Sequence, residues 1–407
     1  MPSSFTTIRA PNRLKLAIVS THPIQYYAPL FRALSQSPAL SPRVFFTWSQ
    51  TAQGSVFDPD FKKQFAWDVP LLEGYEHEFV PNVSRRPSSN HFRGIENPTL
   101  NDCIAKWAPD AVLVYGWNLH SHLQALRHFR GKIPVLFRGD SHLLDARGRW
   151  RALARRVFLR WIYKHVDVAI AVGQNNRDYF LWSGVAAENI AFAPHSVDTV
   201  RFGDETGEQE VRAESWRESL GIPAAAVTFL FAGKFIQKKD PMLLLDAFAG
   251  LANDAHLVFV GDGDMEGELR ARAAGADNVH FLPFQNQASM PAVYRLADVY
   301  VLPSCGPGET WGLAMNEAMA SGRCVIASSL VGGARDLVES GVTGWMFEAR
   351  QASQLKNALR AAIVIGREGL RRMGKQAKTM SNDWSTEASA RAIAAAVCRA
   401  CHLFETS

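Results

Sequence analysis

The sequence predicts a protein of the α/β class, built from two doubly wound, Rossmann-like units in series. Short runs rich in β-branched residues alternate with longer amphipathic segments along the 407-residue chain, a rhythm typical of parallel strands covered by helices. A chain of this length exceeds what one hydrophobic core usually supports. The polar, acidic segment 201–223 (RFGDETGEQEVRAESWRESLGIP) interrupts the rhythm midway. We therefore place a domain boundary near residue 205.

The predicted strands follow in chain order. The first unit contains the runs LKLAIVS (14–20), VFFTW (44–48), AVLVYG (111–116), PVLFRG (134–139), VAIAVG (168–173) and IAFAP (190–194). The second unit contains VTFLFAG (227–233), HLVFVGDG (256–263), VHFLPF (279–284), VYVLPS (299–304) and CVIAS (324–328). Sheets of this kind bind ligands outside the carboxyl ends of their strands. The residues that follow each run are therefore the first candidates for a functional site.

Composition and charge exclude several classes of protein. The chain is 47% apolar and 20% charged with a net charge of +5, which suits a globular protein with acidic ligands and is too small a charge to indicate a nucleic-acid partner. No window reaches the roughly 18 apolar residues that cross a bilayer, and the early run 14–20 is too short for a secretory signal. We expect a cytoplasmic protein, and the odd number of cysteines indicates reduced thiols rather than a disulfide framework.

The C-terminal motif CRACH (398–402) spells the haem c attachment signature, so an electron carrier with covalent haem is one hypothesis. The motif lies in the Ala-rich helical run SARAIAAAVCRACHLF, and haem attachment normally implies an export signal. The alternative is that Cys398 and Cys401 are small, partly buried helix residues.

Three lysines follow the first strand of the second unit: Lys234, Lys238 and Lys239. In FAGKFIQKKD (231–240), Gly233 and Lys234 come directly after the strand, and Lys239 ends a loop that opens the helix PMLLLDAFAGL. Cations beside a helix N-terminus form an anion site, because free N–H groups and the helix dipole also favour negative charge. A solvated lysine cluster is the alternative.

The segment CGPGETWGLAMNEAMASG (305–322) repeats this arrangement after another strand. Glu309 lies in its Gly-rich loop, and Gly312 and Leu313 offer N–H groups where the next helix begins. Glu317 lies inside that helix and can reach a pair of hydroxyls, which suits a carboxylate because it only accepts hydrogen bonds. A Glu-x7-Glu spacing by itself occurs often by chance.

Together these motifs resemble the donor-binding half of glycosyltransferase family 4, the retaining nucleotide-sugar transferases of the GT-B fold. The resemblance runs through FAGKFIQKKD, LVFVGDGDMEGELR, VHFLPFQNQASMPAVYRLADVYVLPS, ETWGLAMNEAMASGRCVIAS and GGARDLVESGVTGWMF, and covers about half the chain. It implies an acceptor-binding domain over residues 1–205, a donor-binding domain over 206–381, and a closing helix over 382–407 that packs back toward the first domain.

The resemblance also implies residue roles. Glu309 matches the glutamate that contacts the transferred sugar, and Glu317 the one that holds the ribose hydroxyls. Lys239 matches the lysine that grips the donor phosphates, while Lys234 stands where the family more often has arginine. The nucleotide base is expected beside Phe284 and Gln285.

The same residues suggest chemistry without a metal cofactor. The departing diphosphate carries negative charge, which Lys234, Lys239 and the N–H groups of Gly312 and Leu313 can stabilise. The sequence shows no His/Asp cluster with metal-ligand spacing. We therefore expect a nucleotide-diphosphate sugar as co-substrate and neither a metal nor another cofactor.

Acceptor contacts are expected in the first unit, at two places. In VSTHPIQYYAPLFRAL, His22 and Gln25 follow the first strand; His22 either faces the cleft or caps a turn. In LFRGDSHLL, Arg138, Asp140 and His142 follow the fourth strand, and the family alignment does not say which of them touches substrate.

A basic, aromatic stretch over residues 147–164 (RGRWRALARRVFLRWIYK) supports two interpretations. Such a helix can lie on an anionic membrane surface, each nearby cation adding roughly 1 kcal/mol. The alternative is an ordinary helix that packs its aromatic side chains on the sheet. Under the membrane interpretation, the protein is cytoplasmic and binds peripherally to the cytoplasmic face of the membrane.

The leading functional hypothesis is a retaining, metal-independent transferase that moves a sugar to a glycan, lipid-linked or small-molecule acceptor in surface polysaccharide or glycoconjugate biosynthesis. A second hypothesis keeps the fold but makes the chain a non-catalytic nucleotide-sugar-binding subunit. The presence of both Glu309 and Lys239 favours the first.

Overall fold

The computed structural model describes residues 13–49, 56–58, 63–145, 148–251 and 254–406. The first half forms a seven-stranded sheet of order β5-β2-β1-β6-β7-β8-β9 and a separate two-stranded sheet, β3-β4. The strands are β1 Leu14–Ser20, β2 Leu40–Phe46, β3 Val56–Asp58, β4 Lys63–Phe65, β5 Glu76–Phe79, β6 Ala111–Tyr115, β7 Val135–Arg138, β8 Val168–Ala171 and β9 Ile190–Phe192.

Helices cover both faces of this first sheet, and its strands are paired in parallel. The central strands are buried along their whole length, which is why they read as continuous apolar runs in the sequence. These helices are α1 Tyr27–Ser35, α2 Leu100–Trp107, α3 His120–Phe129, α4 Arg149–Tyr163 and α5 Gln174–Trp182. The short α6 Thr199–Gly203 follows them in the chain and packs on the second half instead.

The second half forms a six-stranded parallel sheet of order β12-β11-β10-β13-β14-β15. Its strands are β10 Thr228–Ala232, β11 His256–Val260, β12 Val279–Leu282, β13 Val299–Leu302, β14 Cys324–Ser328 and β15 Gly344–Phe347. Its helices are α7 Glu208–Ser219, α8 Pro241–Phe248, α9 Glu266–Arg272, α10 Met290–Arg295, α11 Leu313–Ala320, α12 Ala334–Leu337 and α13 Ala352–Ser381, which kinks at Gly366. The predicted architecture of two Rossmann-like α/β domains is therefore confirmed.

The last helix, α14 Thr386–Glu405, leaves the second unit and packs on the first. Its apolar face, which includes Ile393 and Val397, shares a core cluster with Leu16 and Ile18 of β1. Residues 204–207 join α6 to α7, so the expected boundary near residue 205 falls in the connection between the two sheets.

The structure adds edge strands that the sequence pattern did not predict. β5 (sequence EHEF) and β15 (sequence GWMF) are edge strands of their sheets. An edge strand can be short and partly exposed, as the polar β5 is, although β9 and β12 at the other two edges keep the apolar runs that predicted them. The short β3 and β4 pair with each other rather than with either large sheet.

Candidate active site

A cavity of about 360 Å³ lies between the two units, at the carboxyl ends of their strands. Gln25, Tyr26 and Trp67 of the first unit line one side of it. The second unit supplies the remaining lining residues, which follow or flank β10–β13: Ala232, Gly233, Lys234, Lys239, Val260, Gly261, Phe284, Gln285, Gln287, Met290, Tyr294, Tyr300, Ala314 and Glu317. The volume lies within the usual range for small-molecule sites, about 300–1,000 Å³.

Gly233 and Lys234 reach this cavity because β10 ends directly before them. The chain then turns through a short 3-10 segment, Gln237–Lys239, which brings the last of the three predicted lysines to the same cavity. Asp240 follows with a positive φ of 51° and caps α8, its side chain accepting from the Leu243 N–H. The loop that the sequence marked as an anion site therefore ends at the N-terminus of α8, where the Asp240 carboxylate already accepts from the Leu243 N–H.

Lys239 and Glu309 form an ion pair, with 2.5 Å between Lys239 Nζ and Glu309 Oε2. The same carboxylate oxygen accepts a hydrogen bond of 2.9 Å from Ser304 Oγ, at the end of β13. Glu309 is 8% exposed and is not among the residues that line the cavity, whereas its partner Lys239 is. The pair thus places a cation at the cavity wall with its carboxylate partner held in position.

Glu317 lies on α11, is 2% exposed and lines the cavity. Its Oε2 accepts a hydrogen bond of 2.6 Å from Tyr294 Oη, while its Oε1 is buried without a partner among the described residues. Burial raises the pKa of this carboxyl to about 7, and the Tyr294 bond and the charge of Arg201 oppose that rise. A buried carboxylate oxygen with no partner is costly, so its position favours a ligand that donates to it.

Gly312 and Leu313 lie where α11 begins, as the sequence predicts. Gly312 has a φ of 88°, and a Cβ at this position would lie 2.7 Å from Val331 Cγ1 and 2.9 Å from Leu302 Cδ2. Only glycine fits there, because both the backbone conformation and the space exclude a side chain. Ala314, in the first turn of the same helix, lines the cavity.

Phe284 and Gln285 follow β12 and line the same cavity. Phe284 N–H donates to Asp262 Oδ2 at 3.3 Å, which fixes the end of this strand against the loop after β11. Asp262 and Asp264 form an Asp-x-Asp triplet, so the expectation of metal-independent chemistry is wrong where it takes this motif to be absent from the sequence. Across the described ranges, no group of three or more His, Cys, Asp and Glu side chains could hold a metal ion.

Asp140 and His142 reach across to the loop that carries Glu309. Thr310 Oγ1 donates to Asp140 Oδ2 at 2.6 Å. The Leu144 N–H donates to His142 Nδ1 at 3.2 Å, so His142 Nε2 carries the proton and donates to the Glu309 carbonyl at 3.2 Å. These two acceptor-side candidates therefore meet the donor-side loop.

Arg138 occupies a different position. It is 3% exposed and donates to the carbonyl oxygens of Ala193 and Pro194 at 3.0 and 2.9 Å. The side chain therefore ties β7 to the segment after β9 and does not line the cavity.

His22 and Gln25 diverge although they share one loop. Burial lowers the pKa of His22 to about 4, and its ring packs edge-on against Trp48 with centroids 5.8 Å apart. Gln25 lines the cavity that contains Lys239 and Glu317. This loop thus places Gln25 against the donor-side residues, rather than in a separate acceptor pocket.

Four aromatic residues of the cavity were not among the predicted site residues: Tyr26, Trp67, Tyr294 and Tyr300. Tyr26 packs against the core cluster of the second unit although it belongs to the first. Tyr294 follows the Pro at the start of α10 and holds Glu317. The only sequence signal for Tyr26 is its position directly after Gln25, in the loop that follows β1.

Helix α4 exposes three of its four aromatic side chains. Trp150 is 84% exposed, Phe158 46% and Trp161 38%, while Leu159, Ile162 and Tyr163 form the buried side. The alternative that this helix packs its aromatic residues on the sheet is therefore wrong for those three and holds for Tyr163, whose ring contacts Phe137 of β7. Arg147, the first residue of the predicted stretch 147–164, lies outside the described residues.

The CRACH cysteines lie on α14 as free thiols. Cys401 belongs to the core cluster shared with the first sheet and is 8% exposed. A side chain packed there cannot carry a covalent haem without unpacking the helix, so the structure does not support that hypothesis. Within the described part of the chain, none of the helices has the length and apolarity to cross a membrane.

The chain is similar to known proteins in sequence and in fold. Residues 212–380 match the family model described as glycosyl transferases group 1. A phosphatidyl-myo-inositol mannosyltransferase of Mycobacterium leprae is 36% identical over 184 residues, 42% of this chain and 46% of that protein. A D-inositol 3-phosphate glycosyltransferase of Nocardia farcinica is 30% identical over 406 residues, 90% of this chain and 85% of that protein.

The alignments to several curated relatives span less than half of those proteins, 46% and 42% for two of them, whereas the Nocardia match spans most of both chains. Among solved structures, the Anabaena protein Alr3699/HepE in complex with UDP superposes with a TM-score of 0.70 at 18% identity. That superposition covers 95% of this chain and 100% of the other. It shows a shared GT-B fold.

Proposed function

The chain belongs to the group 1 glycosyltransferases, and on that premise we propose that it is a retaining, metal-independent transferase of family 4. It moves a sugar from a nucleotide-diphosphate sugar to a glycan, lipid-linked or small-molecule acceptor, in surface polysaccharide or glycoconjugate biosynthesis. The observation that carries this proposal is the cavity wall itself: Lys234 and Lys239 line the same cavity as Glu317, whose buried Oε1 has no partner among the described residues. Two cations and one buried acceptor match a diphosphate and a ribose hydroxyl pair.

In the proposed reaction, the bond between the sugar C1 and the diphosphate oxygen breaks, and the electron pair leaves with the diphosphate. Lys234, Lys239 and the N-terminus of α11 stabilise this charge. The sugar passes through an oxocarbenium-like state, toward which the carboxylate of Glu309 is attractive. The acceptor hydroxyl then forms the new bond to C1 and loses its proton to the departing diphosphate.

A screen of common nucleotide sugars that reads the release of free nucleotide tests this proposal, in the presence and absence of excess EDTA. We expect turnover with one donor class and no dependence on the chelator. Complete loss with EDTA, restored by magnesium or manganese, would contradict metal-independent transfer.

Lys239→Ala should lower turnover by on the order of 10² or more, because it removes a charge that acts most strongly on the departing diphosphate. Lys238→Ala is the matched control, since Lys238 is exposed and does not line the cavity. Equal turnover of the two folded variants would mean that the lysines form a solvated cluster.

The alternative, a non-catalytic nucleotide-sugar-binding subunit, makes a different prediction. Such a protein would bind a nucleoside diphosphate by calorimetry but release none from any donor. The intact Lys239–Glu309 ion pair favours the enzyme, because a protein that only binds nucleotide sugars needs no carboxylate beside the lysine that contacts the phosphates.

Peripheral binding to an anionic membrane is the second part of the proposal. Helix α4 exposes Trp150, Leu153 and Val157 at 84%, 52% and 63%, interleaved with arginines. An exposed face that combines aromatic, aliphatic and cationic side chains suits the boundary between headgroups and acyl chains. The mannosyltransferase relative named for phosphatidyl-myo-inositol supports a lipid-linked acceptor.

Co-sedimentation with vesicles tests the membrane role. We expect binding to vesicles of phosphatidylcholine and phosphatidylglycerol but not to phosphatidylcholine alone, and its loss in Trp150→Ala/Leu153→Ala. Val211→Ala/Val364→Ala is the control, because those side chains are 72% and 86% exposed on other helices. Binding that survives the α4 changes would contradict this role.

A further inference from the structure

We propose that Trp67 is a donor-binding residue that closes the nucleobase end of the cavity from the opposite side of the cleft. This inference rests on the proposed function, because it assumes that the cavity holds a nucleotide. Trp67 belongs to the first unit, in the segment that follows β4, whereas the resemblance to family 4 places the base on residues of the second unit.

Hydrogen bonds on both sides of Trp67 hold its segment against the second unit. Asn286 Nδ2 donates to the Ala66 carbonyl at 2.7 Å, and the Ala288 N–H donates to Asp68 Oδ1 at 2.9 Å. These two contacts join residues separated by 220 positions in the chain. Trp67 therefore lies in the middle of a three-residue bridge across the cleft.

The bridge ends at the part of the cavity that is expected to hold the base. Asn286 and Ala288 come directly after Phe284 and Gln285, which line the cavity at the end of β12. The phosphate end is elsewhere, at Lys234 and Lys239 after β10. The bridge is thus anchored beside the base residues.

The indole of Trp67 supplies the chemistry that a base requires. A nucleobase is flat and presents a π-face, and stacking on an aromatic side chain is favourable for every base. With Phe284 contributed by the second unit and Trp67 by the first, the cavity offers an aromatic ring on each side of the cleft. Because the two rings come from different units, a bound base joins those units.

Calorimetry with UDP, GDP and ADP tests the inference. The nucleoside diphosphate that binds the wild-type protein most tightly is then measured with Trp67→Ala, Trp67→Phe and Asp68→Ala. Inorganic diphosphate, measured by displacement of that nucleotide, reports on the phosphate end alone. We expect Trp67→Ala to weaken nucleotide binding by about ten-fold to a hundred-fold, the range of base-stacking losses. Trp67→Phe should recover most of this loss.

Inorganic diphosphate should bind wild type and Trp67→Ala within about two-fold, because it has no base to stack. Asp68→Ala distinguishes the effect of the bridge from that of the ring, because it removes the Ala288 contact but keeps the indole. It should therefore lower nucleotide affinity less than Trp67→Ala does.

Unchanged nucleotide affinity in Trp67→Ala would overturn the inference. An equal loss for inorganic diphosphate would also overturn it, since the bridge would then only hold the two units together, and so would a failure of Trp67→Phe to recover binding. Wild-type protein that binds no nucleoside diphosphate would instead reject the proposed function, and the inference with it.

Discussion

Glu309 and Glu317 show how two carboxylates of one loop and helix acquire different properties. Glu309 shares its Oε2 between the Lys239 ammonium, 2.5 Å away, and the Ser304 hydroxyl, 2.9 Å away. Glu317 is almost fully buried, which raises its pKa, and within the described ranges the Tyr294 hydroxyl is the one side-chain donor bonded to it. A ligand that donates to Glu317 supplies what the free protein lacks there.

The first prediction separates the roles of these two residues. Glu317→Ala should mainly raise the donor KM, because a ribose contact is made equally in the ground and transition states. Glu309→Gln should lower kcat with nucleoside diphosphate binding nearly intact, because its contact strengthens as positive charge develops on the sugar. Steady-state kinetics and calorimetry with the nucleoside diphosphate measure both effects. The reverse pattern would mean that the two roles are exchanged.

The second prediction concerns protons released on binding. Ribose hydroxyls that donate to Glu317 favour its charged form, so its pKa should fall from about 7 when a nucleotide binds. At pH values below 7 binding should therefore release a proton from this carboxyl, and affinity should rise with pH and level off above 7.

Calorimetry at mildly acidic pH, in two buffers that differ in ionisation enthalpy, measures the released proton. Glu317→Gln should remove this component, whereas Glu268→Gln, which changes an exposed carboxylate of α9, should keep it. Protonation of the nucleotide itself is common to all three proteins. An identical number of released protons in wild type and Glu317→Gln would contradict the pKa assignment.

At the scale of single elements, α14 shows a helix that belongs to one unit in sequence and to the other in space. It follows the second unit in the chain, yet its apolar face completes the core of the first sheet. Ser385 caps its N-terminus by accepting from the Ala388 N–H, and its opposite face is exposed. Its stability therefore comes mainly from tertiary packing.

The third prediction tests that packing. Val397→Asp places a carboxylate in the cluster with Leu16 and Ile18, and burial of an unpaired charge should lower the free energy of unfolding by about 3 kcal/mol or more. Ala395→Asp, on the exposed face of the same helix, should change it by about 0.5 kcal/mol. Urea unfolding of the full chain measures both. Equal effects would show that α14 does not contribute to the core of the first unit.

At the scale of the whole molecule, side chains from both units meet along the cleft. Trp311 of the second unit packs against His195, and Gly173 of the first unit approaches the same indole. Nearby, the Gln174 N–H donates to both oxygens of Asp336 at 3.1 Å. These contacts set the separation of the two sheets and therefore the width of the cavity.

The fourth prediction opens this interface. A Cβ on Gly173 would lie 2.3 Å from Trp311 Cζ3 and 2.8 Å from Asp336 Oδ2, so Gly173→Ala should push the units apart. We expect transfer to fall by on the order of ten-fold or more and the radius of gyration from small-angle X-ray scattering to increase. Gly267→Ala is the control, because a Cβ there meets nothing within 4 Å. Unchanged scattering and transfer would show that Trp311 moves aside without opening the cleft.

The sequence by itself determined the central strands and the loops that follow them. A buried parallel strand must be apolar on both faces, so β1, β6, β10 and β13 are visible as apolar runs. Lys234, Lys239 and Glu317 were predictable as site candidates for the same reason, since each lies after such a run or on the helix that follows it, whereas Phe284 was expected there from the family resemblance.

Only the tertiary structure decided which residues make contacts across the cleft. Ala66 and Asp68, on either side of Trp67, bond to Asn286 and Ala288 across 220 positions of the chain, and no local periodicity predicts a contact at that separation. Arg138 shows the opposite case. It lies at the end of β7, where a site residue is expected, but its guanidinium donates to the carbonyls of Ala193 and Pro194 and stays buried. Local pattern fixes which residues stand at a strand end, whereas the packing of one sheet against the other decides which of them face the ligand.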